Sequence, residues 1–194
     1  KPGDATTLIE TPLEARGPAQ FVQGVNVYSL NGGSFFSKEA GEELIANLQI
    51  ANAFTVEAIV IADTFRSRDG RVMSLADKDD QAHFRLMQRG NDLVFQMWTG
   101  NDAKPQELNL GGIKADRAAH VAISFNGSTL TGYLNGAERS RISNLKGSLG
   151  NWSPGDFCLG ADAEGHHTWR GTICDLAITD RALDNFEITR SHGQ

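Results

Sequence analysis

Four side chains on two neighbouring predicted strands have the chemistry of a ligand-binding surface. In the segment HFRLMQ, His83 and Arg85 alternate with apolar residues, and in LVFQMW the same alternation sets apart Gln96 and Trp98. Successive side chains of a strand point to opposite faces of a sheet, so these four share the face turned away from the core. An aromatic ring can stack on a sugar ring while polar groups bind its hydroxyls. Outward polar residues are also ordinary on the solvated face of a sandwich, and that interpretation stays open.

The turn between the two segments sets how these side chains meet. If Phe84 faces Phe95 on the core side, Arg89-Gly90 is left as a two-residue hairpin turn. His83 then lies opposite Gln96. The sequence therefore predicts one outward patch of basic, amide and aromatic groups on a β-hairpin.

Further strand signals recur at regular spacing along the chain. FTVEAIVIA is rich in β-branched residues, HVAISF alternates, and Asn135-Gly136 is a strong signal for a two-residue hairpin turn. DFCLGA and WRGTICDLAI, separated by a polar segment, are interpreted as a last hairpin. Many short strands with turns between them predict an all-β fold of antiparallel sheets, a sandwich or a barrel.

A helix signal occurs near the end of the chain. Asp184 with Glu187 three positions later has the spacing of a capping box, and Gly193 is placed to stop the helix. Residues 1–20 hold three of the five prolines and no clear period, so we interpret them as a tail or an edge segment. We expect a single domain over residues 1–194 with one short C-terminal helix, a length that all-β sandwiches often use.

Composition argues against two classes of partner. With 40% hydrophobic and 22% charged residues, the chain has the composition of an ordinary globular protein. Its net charge of −6 argues against nucleic acid, because phosphate binding needs a basic surface. The longest apolar run, Ala58 to Ala62, is far shorter than the ~20 residues of a membrane-spanning helix. We expect neither nucleic-acid binding nor membrane insertion.

Four stretches of the chain carry a family resemblance. They are, in order, AFTVEA (53–58), HVAISF (120–125), LTGYLNG (130–136) and the segment from Gly171-Thr172-Ile173 to Asp180-Arg181-Ala182-Leu183. Together they resemble the bacterial laminin-G-like family of concanavalin A-like jelly rolls, and the combination is far more specific than any one stretch. The resemblance implies a two-sheet antiparallel jelly-roll β-sandwich.

The resemblance also bears on metal binding and on the two cysteines. Members of the family often hold a structural Ca²⁺ through two aspartates, and the corresponding positions of this chain are Cys174 and Asn31. Because Ca²⁺ prefers six to eight oxygen ligands including carboxylates, we expect no calcium site and no other cofactor. Cys174 is placed to pair with Cys158 across the last predicted hairpin, a disulfide that we favour over two reduced, buried cysteines.

Two loop segments allow alternative interpretations. Trp152, in the segment GNWSPG, is either an exposed aromatic that contacts a ligand or a plug at one end of the sandwich. The polar segment from Asp162 to His167 contains metal-binding side chains, but we interpret it as a solvated hairpin loop. The predicted ligand-binding residues, with no catalytic or metal-binding residue among them, are His83, Arg85, Gln96, Trp98 and Trp152.

The same scaffold hosts enzymes, so catalysis has to be weighed against binding. A lyase needs a base beside a charge-neutralising residue, and His83 with Arg85 offers that pair. A retaining glycosidase needs two carboxyls about 5 Å apart, which sandwich glucanases place as Glu-x-Asp-x-x-Glu. The chain contains no Glu-x-Asp.

We therefore expect a non-catalytic recognition module that binds a glycan or an extracellular protein surface. The alternatives are a glycan-active enzyme, either a polysaccharide lyase or a glycoside hydrolase, and a structural spacer without a ligand. A disulfide would fit an oxidising compartment, so we expect a secreted or periplasmic domain that belongs to a larger protein.

Overall fold

Two antiparallel sheets of seven strands each stack into a sandwich over residues 12–22, 24–64, 67–77, 81–100 and 104–193, the part of the chain that the computed structural model describes. In spatial order, sheet A consists of β1 (Glu14–Arg16), β4 (Ser34–Ser37), β13 (Gly155–Leu159), β6 (Ser67–Asp77), β7 (Ala82–Gly90), β8 (Asp92–Met97) and β9 (Gln106–Gly112). Sheet B consists of β12 (Ala137–Ile142), β11 (Leu130–Leu134), β10 (Ala118–Phe125), β5 (Phe54–Ala62), β14 (Gly171–Thr179), β3 (Val27–Ser29) and β2 (Gln20–Val22). The predicted all-β fold of two antiparallel sheets is confirmed.

Alternate residues of both sheets fill the space between them. Phe54 of sheet B and Phe84 and Phe95 of sheet A are fully buried. The ring centroids of Phe54 and Phe84 lie 5.8 Å apart, and those of Phe84 and Phe95 lie 5.7 Å apart. Full burial of one such side chain contributes roughly 1.5–3 kcal/mol. Because Phe84 points inward, the side chains on either side of it in β7 point away from the core.

The hairpin of β7 and β8 does not have the predicted register. Phe84 pairs with Met97 rather than with Phe95, so the turn is Gly90-Asn91 and not Arg89-Gly90. Gly90 has a φ of 63°, in the left-handed region that glycine adopts without steric cost. The predicted register is wrong by two residues, because the turn uses the glycine at its first position.

The shift of two residues leaves the predicted faces intact. A one-residue slip turns every side chain to the other face of a sheet, whereas a two-residue slip restores the alternation. The partners do change: Gln96 pairs with Arg85 and not with His83. This pairing decides which side chain Gln96 supports.

The predicted last hairpin is wrong, because β13 and β14 belong to different sheets. β13 pairs with β4 and β6, whereas β14 pairs with β3 and β5. Cys158 lies on β13 and Cys174 on β14, and both are free. The predicted disulfide is therefore wrong. Burial raises the pKa of the Cys158 thiol to about 12, so this side chain stays protonated and packs as a small apolar group.

A helix that the sequence did not predict, α1 (Lys38–Ala51), connects β4 of sheet A to β5 of sheet B. Its N-cap is Ser37, whose side chain accepts a hydrogen bond from the Ala40 N–H at 3.1 Å. Leu44 and Leu48, four residues apart, lie on its buried face and join the core between the sheets. The helix ends at Asn52, which has a φ of 48°. In the sequence, this helix was indicated only by a short stripe of apolar residues on one helical face.

The predicted C-terminal helix is present as α2 (Asn185–His192). Both hydrogen bonds of the capping box form between Asp184 and Glu187, and Gly193 is the C-cap. The buried Ile188 packs on the outer face of sheet B. Among the described residues, no helix has both the length and the apolar character that crossing a bilayer requires.

Candidate functional site

A cavity of about 630 Å³ opens on the outer face of sheet A and joins four of the five predicted site residues. We name it the sheet A groove. It lies between β7, the chain directly after β8 and the loop 148–153, and its lining includes His83, Arg85, Trp98, Trp152, Asp77 and Ser153. The volume falls within the range of small-molecule sites.

Arg85 lies in a hydrogen-bonded row that crosses three strands. Its Nε donates to Gln96 Oε1 at 2.7 Å, and Gln96 Nε2 donates to Glu107 Oε2 at 2.6 Å. The guanidinium carbon of Arg85 lies 5.1 Å from the centroid of the Trp98 ring, within the range of a cation–π contact. Gln96 is buried, and the groove lining does not include it. Gln96 therefore positions Arg85.

His83 is buried at the groove and binds the protein through one ring nitrogen. Its Nε2 lies 2.7 Å from the Ser153 carbonyl oxygen, and because a carbonyl only accepts, Nε2 carries the hydrogen. The ring stacks on Trp152, with 5.1 Å between centroids. Burial lowers the pKa of His83, although the bond to Ser153 and the charge of Asp77 act in the opposite direction. At neutral pH the ring is uncharged, which leaves Nδ1 as a hydrogen-bond acceptor.

Trp152 is a plug in the core. It is 3% exposed, and its ring lies 6.3 Å from that of Phe54 and 6.2 Å from that of Phe84 between centroids. Its Nε1 donates to the Trp98 carbonyl oxygen at 2.9 Å. The interpretation of Trp152 as an exposed loop aromatic is wrong, because the loop folds the indole inward against the phenylalanine cluster.

The loop that carries Trp152 is fastened to the end of α1. Gln49 Nε2 donates to the Trp152 carbonyl oxygen at 2.6 Å, and it also lies 3.3 Å from the Gly150 carbonyl oxygen. Asn52 Oδ1 accepts from the Leu149 N–H at 3.0 Å. Sequence reasoning missed Gln49 and Asn52 because it missed the helix that places them.

A smaller cavity of about 160 Å³ adjoins the groove at Arg85, which lines both. Its lining includes Arg71 and Arg89. Arg71 Nη1 lies 3.6 Å from Asp162 Oδ2, and the two side chains are only 3% and 5% exposed. A buried carboxylate requires a partner charge, which Arg71 supplies. The interpretation of Asp162 as a solvated loop residue is therefore wrong.

The described lining of the groove does not contain the pair of carboxyls that glycoside hydrolysis requires. Asp77 is the one carboxylate among the described residues that line it. Its Oδ1 accepts from the Gln81 N–H at 3.0 Å and its Oδ2 accepts from Ser153 Oγ at 3.1 Å. Across the described ranges of the chain, no group of three or more His, Cys, Asp and Glu residues could hold a metal ion.

Of the two positions that the family resemblance relates to calcium, Cys174 offers no ligand that suits this ion. Burial and the neighbouring Asp175 raise the pKa of the Cys174 thiol, so it is protonated at neutral pH. Asn31 Nδ2 donates to Ser29 Oγ at 3.0 Å. Ca²⁺ prefers carboxylate and carbonyl oxygens, and a protonated thiol supplies neither.

Several solved structures are similar to this chain at low sequence identity. The binding domain of Paraclostridial Mosquitocidal Protein 1 is 16% identical, with a TM-score of 0.71 over 94% of this chain and 47% of that one. The binding domain of botulinum neurotoxin DC, solved in complex with rat synaptotagmin II, is 15% identical, with a TM-score of 0.70 over 94% of this chain and 46% of that one. A native heptameric SAP-like pentraxin from Limulus polyphemus is 16% identical, with a TM-score of 0.55 over 71% of this chain and 68% of that one. These likenesses show the fold, and the chain spans less than half the length of the two toxin domains.

The sequence itself matches one family model. No curated protein sequence matches the chain. The model described as the concanavalin A-like lectin/glucanases superfamily, of the laminin G type, matches residues 39–189, which include nearly all of α1, β5 to β14 and most of α2. Since this match extends over most of the chain, the protein belongs to the concanavalin A-like lectin/glucanase superfamily.

Proposed function

We propose that the protein is a non-catalytic, extracytoplasmic recognition module that binds a glycan in the sheet A groove. One observation carries the proposal: a single cavity of small-molecule size brings the half-buried Trp98 and Arg85 together with the ring of His83. His83 and Arg85 lie on β7, Trp98 directly follows β8, and all three line the groove on one outer face. Such a set of convergent polar groups beside an aromatic ring is typical of small-molecule sites.

The three side chains offer complementary contacts to a sugar. Trp98 offers ring surface, on which the apolar face of a sugar can stack. Arg85, held by Gln96, is a donor, and the Nδ1 of neutral His83 is an acceptor. A sugar hydroxyl both donates and accepts, so this combination supports a polyhydroxylated ligand.

A protein surface is the second candidate ligand. The similar botulinum neurotoxin DC domain was solved in complex with rat synaptotagmin II. The smaller cavity beside the groove adds the exposed Arg89 to the outer face of sheet A, and arginine is enriched at protein interfaces. A protein ligand would therefore engage both cavities, whereas a short oligosaccharide would need only the groove.

A glycan-active enzyme and a structural spacer are the rival proposals. For a lyase, His83 would be the base and Arg85 the charge-neutralising residue. Incubation with a polysaccharide panel, followed by measurement of reducing ends and of the absorbance of unsaturated sugars, tests catalysis directly. Product formation that His83→Ala abolishes would replace the binding proposal with the lyase. A chain that binds nothing and cleaves nothing would be a spacer.

The extracytoplasmic location rests on the family resemblance. Because both cysteines are free, a disulfide no longer supports an oxidising compartment. Fractionation of the cells that produce the full-length protein tests this part of the proposal, since recovery in the cytoplasm would contradict it.

The binding proposal is tested with a glycan array followed by titration calorimetry on the best oligosaccharide. Trp98→Ala should weaken binding at least tenfold, since loss of a central aromatic contact typically costs about 2 kcal/mol or more. Phe21→Ala is the matched control, because Phe21 is an exposed aromatic on β2, at the edge of sheet B. Unchanged affinity in both Trp98→Ala and His83→Ala would show that the groove is not the site.

A further inference from the structure

A row of polar side chains crosses five strands on the outer face of sheet B, opposite to the sheet A groove. Strand pairing aligns its members, which in order from β14 to β12 are Thr179, Thr55, Ser124, Thr131 and Arg141. The core-facing neighbours of these residues include Phe54 and Phe125, so the row faces outward.

The first part of this row binds the chain segment 181–183. Thr55 Oγ1 donates to the Arg181 carbonyl oxygen at 2.8 Å and accepts from the Leu183 N–H at 2.8 Å. Ser124 Oγ donates to the Leu183 carbonyl oxygen at 2.8 Å. These hydroxyls therefore hold the segment that leads into α2.

Beyond this segment, the row continues into a recess of about 320 Å³. Thr131 and Tyr133 line the recess and are only 4% and 3% exposed. Neither hydroxyl has a hydrogen-bond partner among the residues that the structure describes. Neither oxygen is among the fully buried polar atoms that lack a partner, so both hydroxyls are open to the recess and can bond a ligand there.

Most of the other residues around the recess are polar, and their charges balance. Asn126 and Asn185 place side-chain amides on its rim, and Asp184 and Arg141 contribute one negative and one positive charge. Arg141 is also paired with Glu138, through a contact of 2.6 Å between Nη2 and Oε2. A phosphate or carboxylate ligand would find no surplus of positive charge here.

We propose that this recess is a second ligand site, on the opposite sheet from the groove, that binds a neutral sugar ring. Hydroxyls and amides can donate and accept, which is what the hydroxyls of a sugar require. The volume lies at the lower end of the range for small-molecule sites, which suits one ring better than an extended peptide. The recess shares no lining residue with the sheet A groove, so this proposal does not depend on the first.

A chemical-shift titration tests the proposal. Isotope-labelled protein is titrated with the methyl glycosides of glucose, galactose, mannose and N-acetylglucosamine, and separately with short peptides. We expect at least one glycoside to give saturable shifts of the backbone amides of Asn126, Thr131, Tyr133 and Asn185. Trp98→Ala, in the sheet A groove, should leave these shifts unchanged.

Two nearly isosteric variants eliminate the hydroxyls, Thr131→Val by replacing it with a methyl group and Tyr133→Phe by removing it. Thr131→Val and Tyr133→Phe should each weaken glycoside binding about three- to tenfold, the effect of one neutral hydrogen bond. Both should melt at or above the temperature of the unaltered protein, because the lost hydroxyl has no partner in the free state. Ser124→Ala, in the same row, is the matched control and should melt lower because its hydroxyl holds Leu183.

Four results would overturn the second site. They are the absence of shifts at the recess with every glycoside, equal affinity in Thr131→Val and Tyr133→Phe, loss of the shifts in Trp98→Ala, and shifts produced by peptides but by no glycoside. A lower melting temperature in both Thr131→Val and Tyr133→Phe would show that their hydroxyls serve the fold.

Discussion

Trp152 and Trp98 line the same groove, but substitution by alanine should separate a tryptophan that stabilises the fold from one that contacts a ligand. Trp152 packs against Phe54, Phe84 and His83 and is almost fully buried. Removal of an aromatic side chain from a core costs about 3–5 kcal/mol. The Trp98 carbonyl would also lose its donor, which adds about 1 kcal/mol. The expected loss for Trp152→Ala, about 4–6 kcal/mol, is a large part of the 5–15 kcal/mol that stabilises a typical domain.

Trp98→Ala should cost much less stability. The Trp98 ring is half-buried, and its contact with Arg85 at 5.1 Å is of a kind worth about 0.5–1 kcal/mol. The backbone carbonyl that accepts from Trp152 is retained in this variant. Partial loss of buried ring surface brings the expected total to about 1–2 kcal/mol. The fold therefore survives Trp98→Ala, so that a loss of binding in this variant reports on the groove.

Urea unfolding followed by far-ultraviolet circular dichroism measures both variants without relying on tryptophan fluorescence. Trp152→Phe serves as the intermediate case, since it keeps a ring in the core and loses the Nε1 hydrogen bond. A loss below about 2 kcal/mol for Trp152→Ala would refute the plug, because a core aromatic cannot be removed so cheaply. Equal losses for Trp152→Ala and Trp98→Ala would refute the division of roles.

Two further measurements concern a buried amide and the titration of the groove. Gln88 Nε2 donates to the carbonyl oxygens of Thr64 and Gly90 at 2.7 and 2.9 Å, and its Oε1 accepts from Trp169 Nε1 at 2.7 Å. Gln88→Met keeps the volume but leaves the indole N–H unpaired, so urea unfolding should show a loss of about 2–4 kcal/mol, and a neutral result would contradict this role. Because burial lowers the pKa of His83, the unfolded chain takes up a proton first as the pH falls, and stability should decrease below about pH 6.5. His83→Phe cannot titrate and should lose less stability than the unaltered protein between about pH 8 and about pH 5, whereas equal losses would contradict the assignment.

The sequence predicted which faces side chains occupy better than it predicted which strands pair. Period-two alternation is local, so the outward set of β7 and β8 was right even though the register was wrong. The Asn135-Gly136 turn is equally local: both residues have positive φ, and Leu134 pairs with Ala137 around them. The partners of β13 and β14 depend on strands far away in the chain. The apolar pattern of a strand does not say which of two sheets it joins, so the last hairpin and the disulfide were wrong.

In the candidate site, too, features set by local sequence were predictable and features set by distant parts of the chain were not. His83, Arg85 and Trp98 were predictable as one patch because they lie on, or directly after, adjacent strands joined by a two-residue turn. The burial of Trp152 was not predictable, because it depends on a loop held by Gln49 at the end of α1. The stripe of apolar residues on α1 is short, and the strand patterns on either side of it dominate the local hydrophobic pattern. The helix was therefore missed.

Alternation alone gives every sandwich strand an outer face, so it does not explain why recesses occur where they do. On sheet B, segment 181–183 uses the hydroxyls of Thr55 and Ser124 and stops before Thr131, where the recess begins. On sheet A, loop 148–153 folds Trp152 inward, and the groove opens along its edge. In both places a segment covers part of an outer face and ends beside polar side chains that are nearly buried. Side chains at such an edge are largely covered but still reach the recess, and it is there that we propose polar ligands bind.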